Sequence, residues 1–350
     1  MDILNKDLII RMKIYSLFVF CILVCSNCTN TGKGDKSKYF SNPILEQGAD
    51  PYVYHHSDGL YYCMVTRGNR LTLWKAKTFT DLSSAETKDV WFPPETGPNS
   101  SNIWAPEIQF IKGAWYIYYT ACDKKNQGDQ TRYVFVLRNN SENPLVGNWD
   151  DLGKIDTEYP GIDGEVFEYK GEYYFLYSPY VKNQSGLIIA KMNSPWEIEK
   201  PSTLLALPKY DWEKTGIREI MEGPQFLVGP GDEVFIVYSA AACWDDNYGL
   251  GMLTAKKDAN LLDSLSWSRS DIQVFKQCPE NSVYGPGHNC FTKSPDGKED
   301  WIVYHGKKAS SNECSGRSMR AQPFIWDKNG RPLFGKPLSL ATKIKVPSGL

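Results

Sequence analysis

Gly113-AWYIYYT, residues 113–120, is a glycine followed by a short aromatic strand that ends in a hydroxyl. The same phrase returns as Gly59-LYYCMVT, Gly171-EYYFLYS, Gly231-DEVFIVYS and, with an imidazole at its end, Gly297-KEDWIVYH, the glycines standing 54 to 66 residues apart. A near-constant period of that size with several short strands per unit is the signature of a β-propeller. Five copies predict five blades. In the second unit, Pro106–Phe110 reads as a first strand, Lys112-Gly113 as a tight turn, Ala114–Thr120 as a second strand and Tyr133–Leu137 as a third. Third strands recur as LTLWKAK after Arg70, GLIIAKM from Gly186, LGMLTAK from Leu250 and MRAQPFIW from Met319. These runs are rich in β-branched and aromatic residues and are bounded by Gly, Asn, Asp and Pro, as hairpin-linked strands should be. A fourth, outer strand is only weakly marked, near Ile155 or Val274. No stretch has sustained helical periodicity, so the expectation is an all-β, five-bladed β-propeller over residues 41–350.

Bulk properties narrow the function. The 350 residues would allow two or three domains by length, but one repeat family fills the chain from about Asp50 onward and argues for one. A net charge of −2 without a basic stripe makes nucleic acid a poor partner, because phosphate binding needs clustered Lys and Arg. Eleven Trp and 21 Tyr are many for a globular chain; most should pack between blades, and some are suited to gripping sugar faces.

At the N-terminus, Arg11 and Lys13 precede the apolar run Ile14–Val24, too short to span a membrane and of the right length for the core of a secretory signal. The run ends in Val24-Cys25-Ser26-Asn27-Cys28, which resembles a bacterial lipoprotein processing site with Cys28, or alternatively Cys25, as the lipidated residue. Residues 1–28 are therefore expected to be a signal and 29–40 a flexible tether. The protein is expected outside the cytoplasm, as a periplasmic or outer-membrane lipoprotein of a bacterium, touching the membrane only through its lipid anchor, and as a monomer. Six cysteines remain: Cys63, Cys122, Cys243, Cys278, Cys290 and Cys314. Their spacing fits no zinc motif, and both disulfides and buried thiols are open to them.

Six to nine residues ahead of each repeat glycine stands an ionisable residue: Asp50, Glu107, Asp163, Glu222 and His288. In a propeller the first strands line the channel and all start at one end, so Asp50, Asp163 and Glu222 should converge there. The second strands return to that end and should place Thr66, Thr120, Ser178, Ser239 and His305 in a polar ring one layer out. Trp104 should stand at the pocket mouth, and His55 and His56, in the first hairpin, should face solvent. Confined carboxylates raise one another's pKa. Glycoside cleavage needs that arrangement, with one acid kept protonated for the leaving oxygen and another ionised to activate water. An inverting pair stands roughly 6.5–9.5 Å apart to admit that water.

Ala49-Asp50-Pro51, Ile162-Asp163-Gly164 and Met221-Glu222-Gly223-Pro224, in this order on a five-unit chain, resemble the signature of family 43 of the glycoside hydrolases. Asn102-Ile103-Trp104-Ala105-Pro106-Glu107, Tyr284-Gly285-Pro286-Gly287-His288-Asn289 and Arg320-Ala321-Gln322 extend the resemblance over nearly the whole mature chain. It implies an inverting mechanism with Asp50 as general base, Glu222 as general acid and Asp163 tuning and orienting that acid. It also implies substrate binding by Trp104, His288 and Arg320, with Arg317 the competing arginine, and a structural role for Glu107. In relatives the histidine at position 288 lies near a cation or a water. No cofactor is expected to be required, but Ca2+ or another cation held by His288 through waters in the channel is an open expectation.

RLTLWKAK, GPGHNCFTKSPDGKEDWIVYH and RAQPFIWDKNGRPLFGKP are most similar to exo-acting arabinofuranosidases that trim 1,5-linked arabinan. The implied substrate is a plant cell-wall polysaccharide or oligosaccharide. A β-xylosidase or endo-arabinanase of the same family is the alternative enzyme, and a non-catalytic glycan-binding propeller the alternative class. A binding module has no use for three mutually repelling acids. A phosphorylase on a related scaffold would need a basic residue at one of the three positions.

Overall fold

The computed structural model describes residues 38–350. The expected signal segment, and the expected tether up to residue 37, lie outside the described residues. The described chain forms five antiparallel blade sheets and one two-stranded sheet. Blade I consists of Tyr52–His55, Tyr61–Met64, Leu71–Ala76 and Glu86–Trp91, and blade II of Ser101–Ile111, Ala114–Cys122, Tyr133–Asn139 and Asp150–Lys154. Blade III has Gly161–Tyr169, Glu172–Val181 and Leu187–Ser194, with short outer pieces at Glu197–Ile198 and Thr203–Ala206. Blade IV has Met221–Val228, Glu233–Ala240, Gly249–Lys256 and Ser268–Arg269; blade V has Tyr284–Lys293, Asp300–Lys307, Arg317–Trp326 and Pro332–Leu333. First strands touch in the cyclic order I–II–III–IV–V–I, which is a closed ring. The weakly marked outer strands exist but are short; Val274 and Phe275 lie outside the outer strand of blade IV and bond to Leu250.

The repeat glycines explain the hairpins. Gly59, Gly113, Gly171 and Gly297 have φ of +72° to +88°, a backbone state that only glycine adopts without strain, with open space where a side chain would stand. Gly231 serves packing instead, since a Cβ there would meet Asn329 O at 2.9 Å.

Apolar side chains collect in five clusters, one at each blade interface. Trp301, Val303, Tyr61 and Cys63 pack between blades V and I; Trp115, Ile117 and Tyr62 between I and II. Tyr118, Val136 and Phe175 fill the II–III interface, Leu176, Ile236 and Met221 the III–IV interface, and Phe235, Ile302 and Tyr304 the IV–V interface. His55 and His56, expected at the surface, are half-buried instead. His55 stacks on Tyr61 of the V–I cluster at 4.2 Å, and His56 lies 4.7 Å from both Phe110 and Trp115 of the I–II cluster.

The chain ends close the ring. Tyr39–Phe40 pairs antiparallel with Ile344–Lys345, and the backbone at Ile44 and Leu45 bonds to Met319 of blade V. Buried Asn42 bonds Ala321 in both directions, Nδ2 donating to its carbonyl at 3.0 Å and Oδ1 accepting from its amide at 2.9 Å. Asn42→Ala strands that buried amide and carbonyl, so urea unfolding should show a loss of about 1–3 kcal/mol; an unchanged midpoint would show that the clasp contributes nothing.

Candidate active site

Strand register defines the pocket. The second-strand residues Thr66, Thr120, Ser178, Ser239 and His305 stand opposite Ala49, Trp104, Ile162, Glu222 and Gly287. The residue after each of these, Asp50, Ala105, Asp163, Gly223 and His288, has φ between +42° and +57°. In blades II to V the ladder slips there, as at a β-bulge, and re-aims the side chains. The axial residues are thus not the five expected from spacing. Ala105, not Glu107, is the blade II counterpart of Asp50 and Asp163, and Gly223 that of blade IV. Glu222 occupies the position of Trp104, one residue earlier. Three acids meet because two successive positions of the repeat both line the pocket.

Each blade fixes the next. Thr66 Oγ1 accepts from Ala105 N at 2.7 Å, Thr120 Oγ1 from Asp163 N at 3.0 Å, Ser239 Oγ from His288 N at 2.7 Å and His305 Nδ1 from Asp50 N at 3.1 Å. The expected polar ring is therefore a relay of side chain to amide across four of the five interfaces. At the fifth, Gly223 N donates to Asp163 Oδ2 at 3.0 Å, and buried Ser178 Oγ has no hydrogen-bond partner among the described residues. A Cβ on Gly223 would stand 3.0 Å from His288 Nδ1, so the acid-bearing turn has room only for glycine.

The three carboxylates sit in different fields. Asp50 is buried, which by itself raises a carboxyl, but Arg317 Nη1 donates to its Oδ1 at 2.6 Å. With His288 and His305 also close, Asp50 is held well below its ordinary 3.8. Thr66 Oγ1 donates to its other oxygen at 2.7 Å. Burial pushes Glu222 up to about 7; Tyr248, donating to Oε1 at 2.8 Å, opposes the rise and the Asp50 charge adds to it. Asp163 is likewise raised, by burial first and then by Glu222 and Asp50. Burial lowers His288, and lowers His305 to about 3, so both imidazoles are neutral. One ionised carboxylate thus faces a protonated acid across a cavity of 390 Å3.

Arg320, expected at the sugar-binding subsite, is fully buried behind the pocket, bonding Ser318 Oγ at 3.2 Å and Lys307 O at 3.2 Å. Arg317, the first residue of its strand and nearest the mouth, lines the pocket instead. Trp104 does stand in the wall, but the Arg132 guanidinium covers one ring face at 4.6 Å, leaving at most the other for a sugar. Asp129 pairs with both Arg132 and Arg218 at the rim. Tyr248, Arg132, Arg218 and Asp129 come from loops and carry no repeat signal. Two residues past the axial ring lie buried Glu107, Glu165, Gln225 and Cys290. Gln225 Nε2 donates to Glu107 Oε1 at 2.7 Å, and Phe226 N donates to both oxygens of Glu165, at 3.0 and 2.8 Å. Glu107 is thus a deep structural residue, as expected, with a fourth acid beside it that spacing did not single out.

His288, Asp163 and Glu222 bring one ligand atom each within 4.8 Å of one another. This set does not fit a resident hard cation. Such ions take six to eight oxygens, whereas this set offers two carboxylates and one imidazole nitrogen. Thr66→Val removes both a donor to Asp50 and the acceptor of Ala105 N. We expect about a tenfold fall in kcat/KM for glycoside cleavage, checked with an aryl glycoside.

The sequence model described as glycosyl hydrolases family 43 matches residues 40–332. The chain is 37% identical over 323 residues to an extracellular exo-α-(1→5)-L-arabinofuranosidase of Streptomyces avermitilis, covering 88% of this chain and 66% of that protein. A protein of the same name from Streptomyces chartreusis is 36% identical over 77% of this chain and 83% of its own. The crystal structure of an α-L-arabinofuranosidase from Lactobacillus brevis superposes with a TM-score of 0.82 at 34% identity, over 87% of this chain and 98% of that one. With the ring of five blades and the carboxylates its bulges gather, these matches place the chain in family 43 of the glycosyl hydrolases.

Proposed function

We propose that the protein is an inverting, exo-acting α-L-arabinofuranosidase that releases terminal L-arabinofuranose from arabinan or arabino-oligosaccharides. The observation that carries the chemistry is the contrast in surroundings, with Asp50 bonded to the Arg317 guanidinium and the Glu222 carboxyl to the Tyr248 hydroxyl in the same pocket. Asp50, ionised under Arg317, takes a proton from water as that water attacks the anomeric carbon. Glu222, protonated near neutrality, gives its proton to the departing glycosidic oxygen. Asp163, accepting from Gly223 N, fixes the turn that carries Glu222. The sugar assignment rests on the relatives named above. The cavity volume supports terminal attack, since it lies at the small end of ligand pockets, roughly 300–1,000 Å3.

The test is incubation with para-nitrophenyl α-L-arabinofuranoside, its β-xyloside counterpart and linear 1,5-arabino-oligosaccharides, with NMR of the first-formed anomer. Release of arabinose with inversion is expected. Turnover of the xyloside alone would overturn the sugar assignment, and retention would overturn the mechanism. We further propose that the protein acts outside the cytoplasm as a lipid-anchored monomer, a reading supported by the signal-like segment and by the Cys243–Cys314 disulfide. Mass spectrometry of the mature N-terminus should find an acylated Cys28.

A further inference from the structure

The Cys243–Cys314 disulfide is part of the pocket wall. Cys243 lies in the segment 241–248, between the second and third strands of blade IV. Cys314 lies in the segment 308–316, between the corresponding strands of blade V. The latter is mostly solvent-exposed and has no apolar core of its own, so its position depends on a few attachments. One is the disulfide. Another is the Lys307 side, whose buried Nζ meets Asp246 Oδ1 at 2.8 Å and donates to Ser311 O at 2.6 Å, with Ser311 N donating to Asp246 Oδ1 at 3.3 Å and Lys308 paired with Glu46 beside it. The third runs into the active site. Arg317 Nε donates to the main-chain carbonyl of Cys314 at 2.7 Å, and the same guanidinium donates from Nη1 to Asp50 Oδ1 at 2.6 Å.

A guanidinium is a rigid planar fork, so fixing Nε fixes where Nη1 points. We propose that the Cys243–Cys314 disulfide is a positioning element for the reaction, holding the Cys314 carbonyl in place so that Arg317 is aimed at Asp50. Cleavage of the bond by a dithiol reductant would supply two electrons and two protons, giving two thiols and an oxidised reductant. The Cys314 carbonyl is then free to move, and Arg317 loses the anchor that sets its direction. The Lys307–Asp246 contact remains, so the blades stay assembled while the loop tip shifts. Cys63, Cys122, Cys278 and Cys290 are all buried, so among the described residues mild reduction of the folded protein exposes only this pair.

This inference rests on the proposed hydrolytic role of Asp50, and the test separates the two. The oxidised wild type is first shown to cleave an aryl arabinofuranoside; failure there rejects the function, not the positioning. Dithiothreitol reduction at 25 °C and alkylation, checked by mass spectrometry for two labels, then yields folded reduced enzyme. Cys243→Ser/Cys314→Ser is the genetic counterpart. About a tenfold or larger loss is expected in kcat with KM within about twofold, because displacing a catalytic group costs transition-state more than ground-state binding. In an Arg317→Met background the same treatment should cause no further loss. The Arg317 side-chain Nε–H resonance, sharp in the oxidised protein, should broaden on reduction, a signature independent of turnover. Unchanged kcat and an unchanged resonance in the reduced protein, with only a lower melting temperature, would reduce the disulfide to a purely structural staple and overturn the proposal.

Discussion

Glu222→Gln should lower kcat on arabino-oligosaccharides by about 10²–10⁴-fold while leaving para-nitrophenyl arabinofuranoside turnover far less affected. The asymmetry follows from the role. An alkoxide leaving group must be protonated as it departs, whereas para-nitrophenolate leaves without help, so only the natural linkage needs the acid. The pH profile adds a second signature. Glu222 acts in its protonated form and its pKa is raised to about 7, so wild-type activity should fall as pH rises through that value. Glutamine cannot titrate, and the alkaline limb should vanish in the variant. Equal losses on both substrates, or a surviving limb, would assign the acid elsewhere.

Asp50→Asn is expected to cost a comparable 10²–10⁴-fold, but on both substrates alike, because water must be activated whatever the leaving group. The wild-type acidic limb should lie below the ordinary carboxylate range, since the Arg317 guanidinium bonded to Asp50 overcomes the effect of burial and keeps it ionised. Activity is therefore kept through the ordinary carboxylate range and lost only at more acidic pH. A further consequence has the opposite direction. The Asp50 charge is one cause of the raised Glu222 pKa, so removing it should shift the residual alkaline limb downward. Residual rates that follow an unmoved alkaline limb would mean that the two carboxylates do not sense each other.

Much of this was readable in the sequence, for physical reasons. Aromatic strands behind turn glycines specify hairpins locally, and five of them at one period leave few architectures open. Asp50, Asp163 and Glu222 were found because the first strands must start at one end of the channel. The offset between them was not legible. The bulge residue in αL conformation is Asp, Ala, Asp, Gly or His, and only the ladder shows that Ala105 rather than Glu107 is equivalent to Asp50. The Arg320 error was avoidable. Its strand begins at the pocket end, so the first residue, Arg317, lies nearest the mouth, and a residue three further on points to the other face. Rim contacts such as Asp129 with Arg132 and Arg218 come from loops, where no periodicity constrains what meets what.

Asp50 stands near the start of the described chain, yet its amide is held by His305 and its carboxylate by Arg317, from the last blade to be made. If Asp50 is the base proposed above, a nascent or partly exported chain should lack it in working form until blade V has emerged and docked. Fragments that stop short of blade V should therefore be silent even where the first four blades have folded.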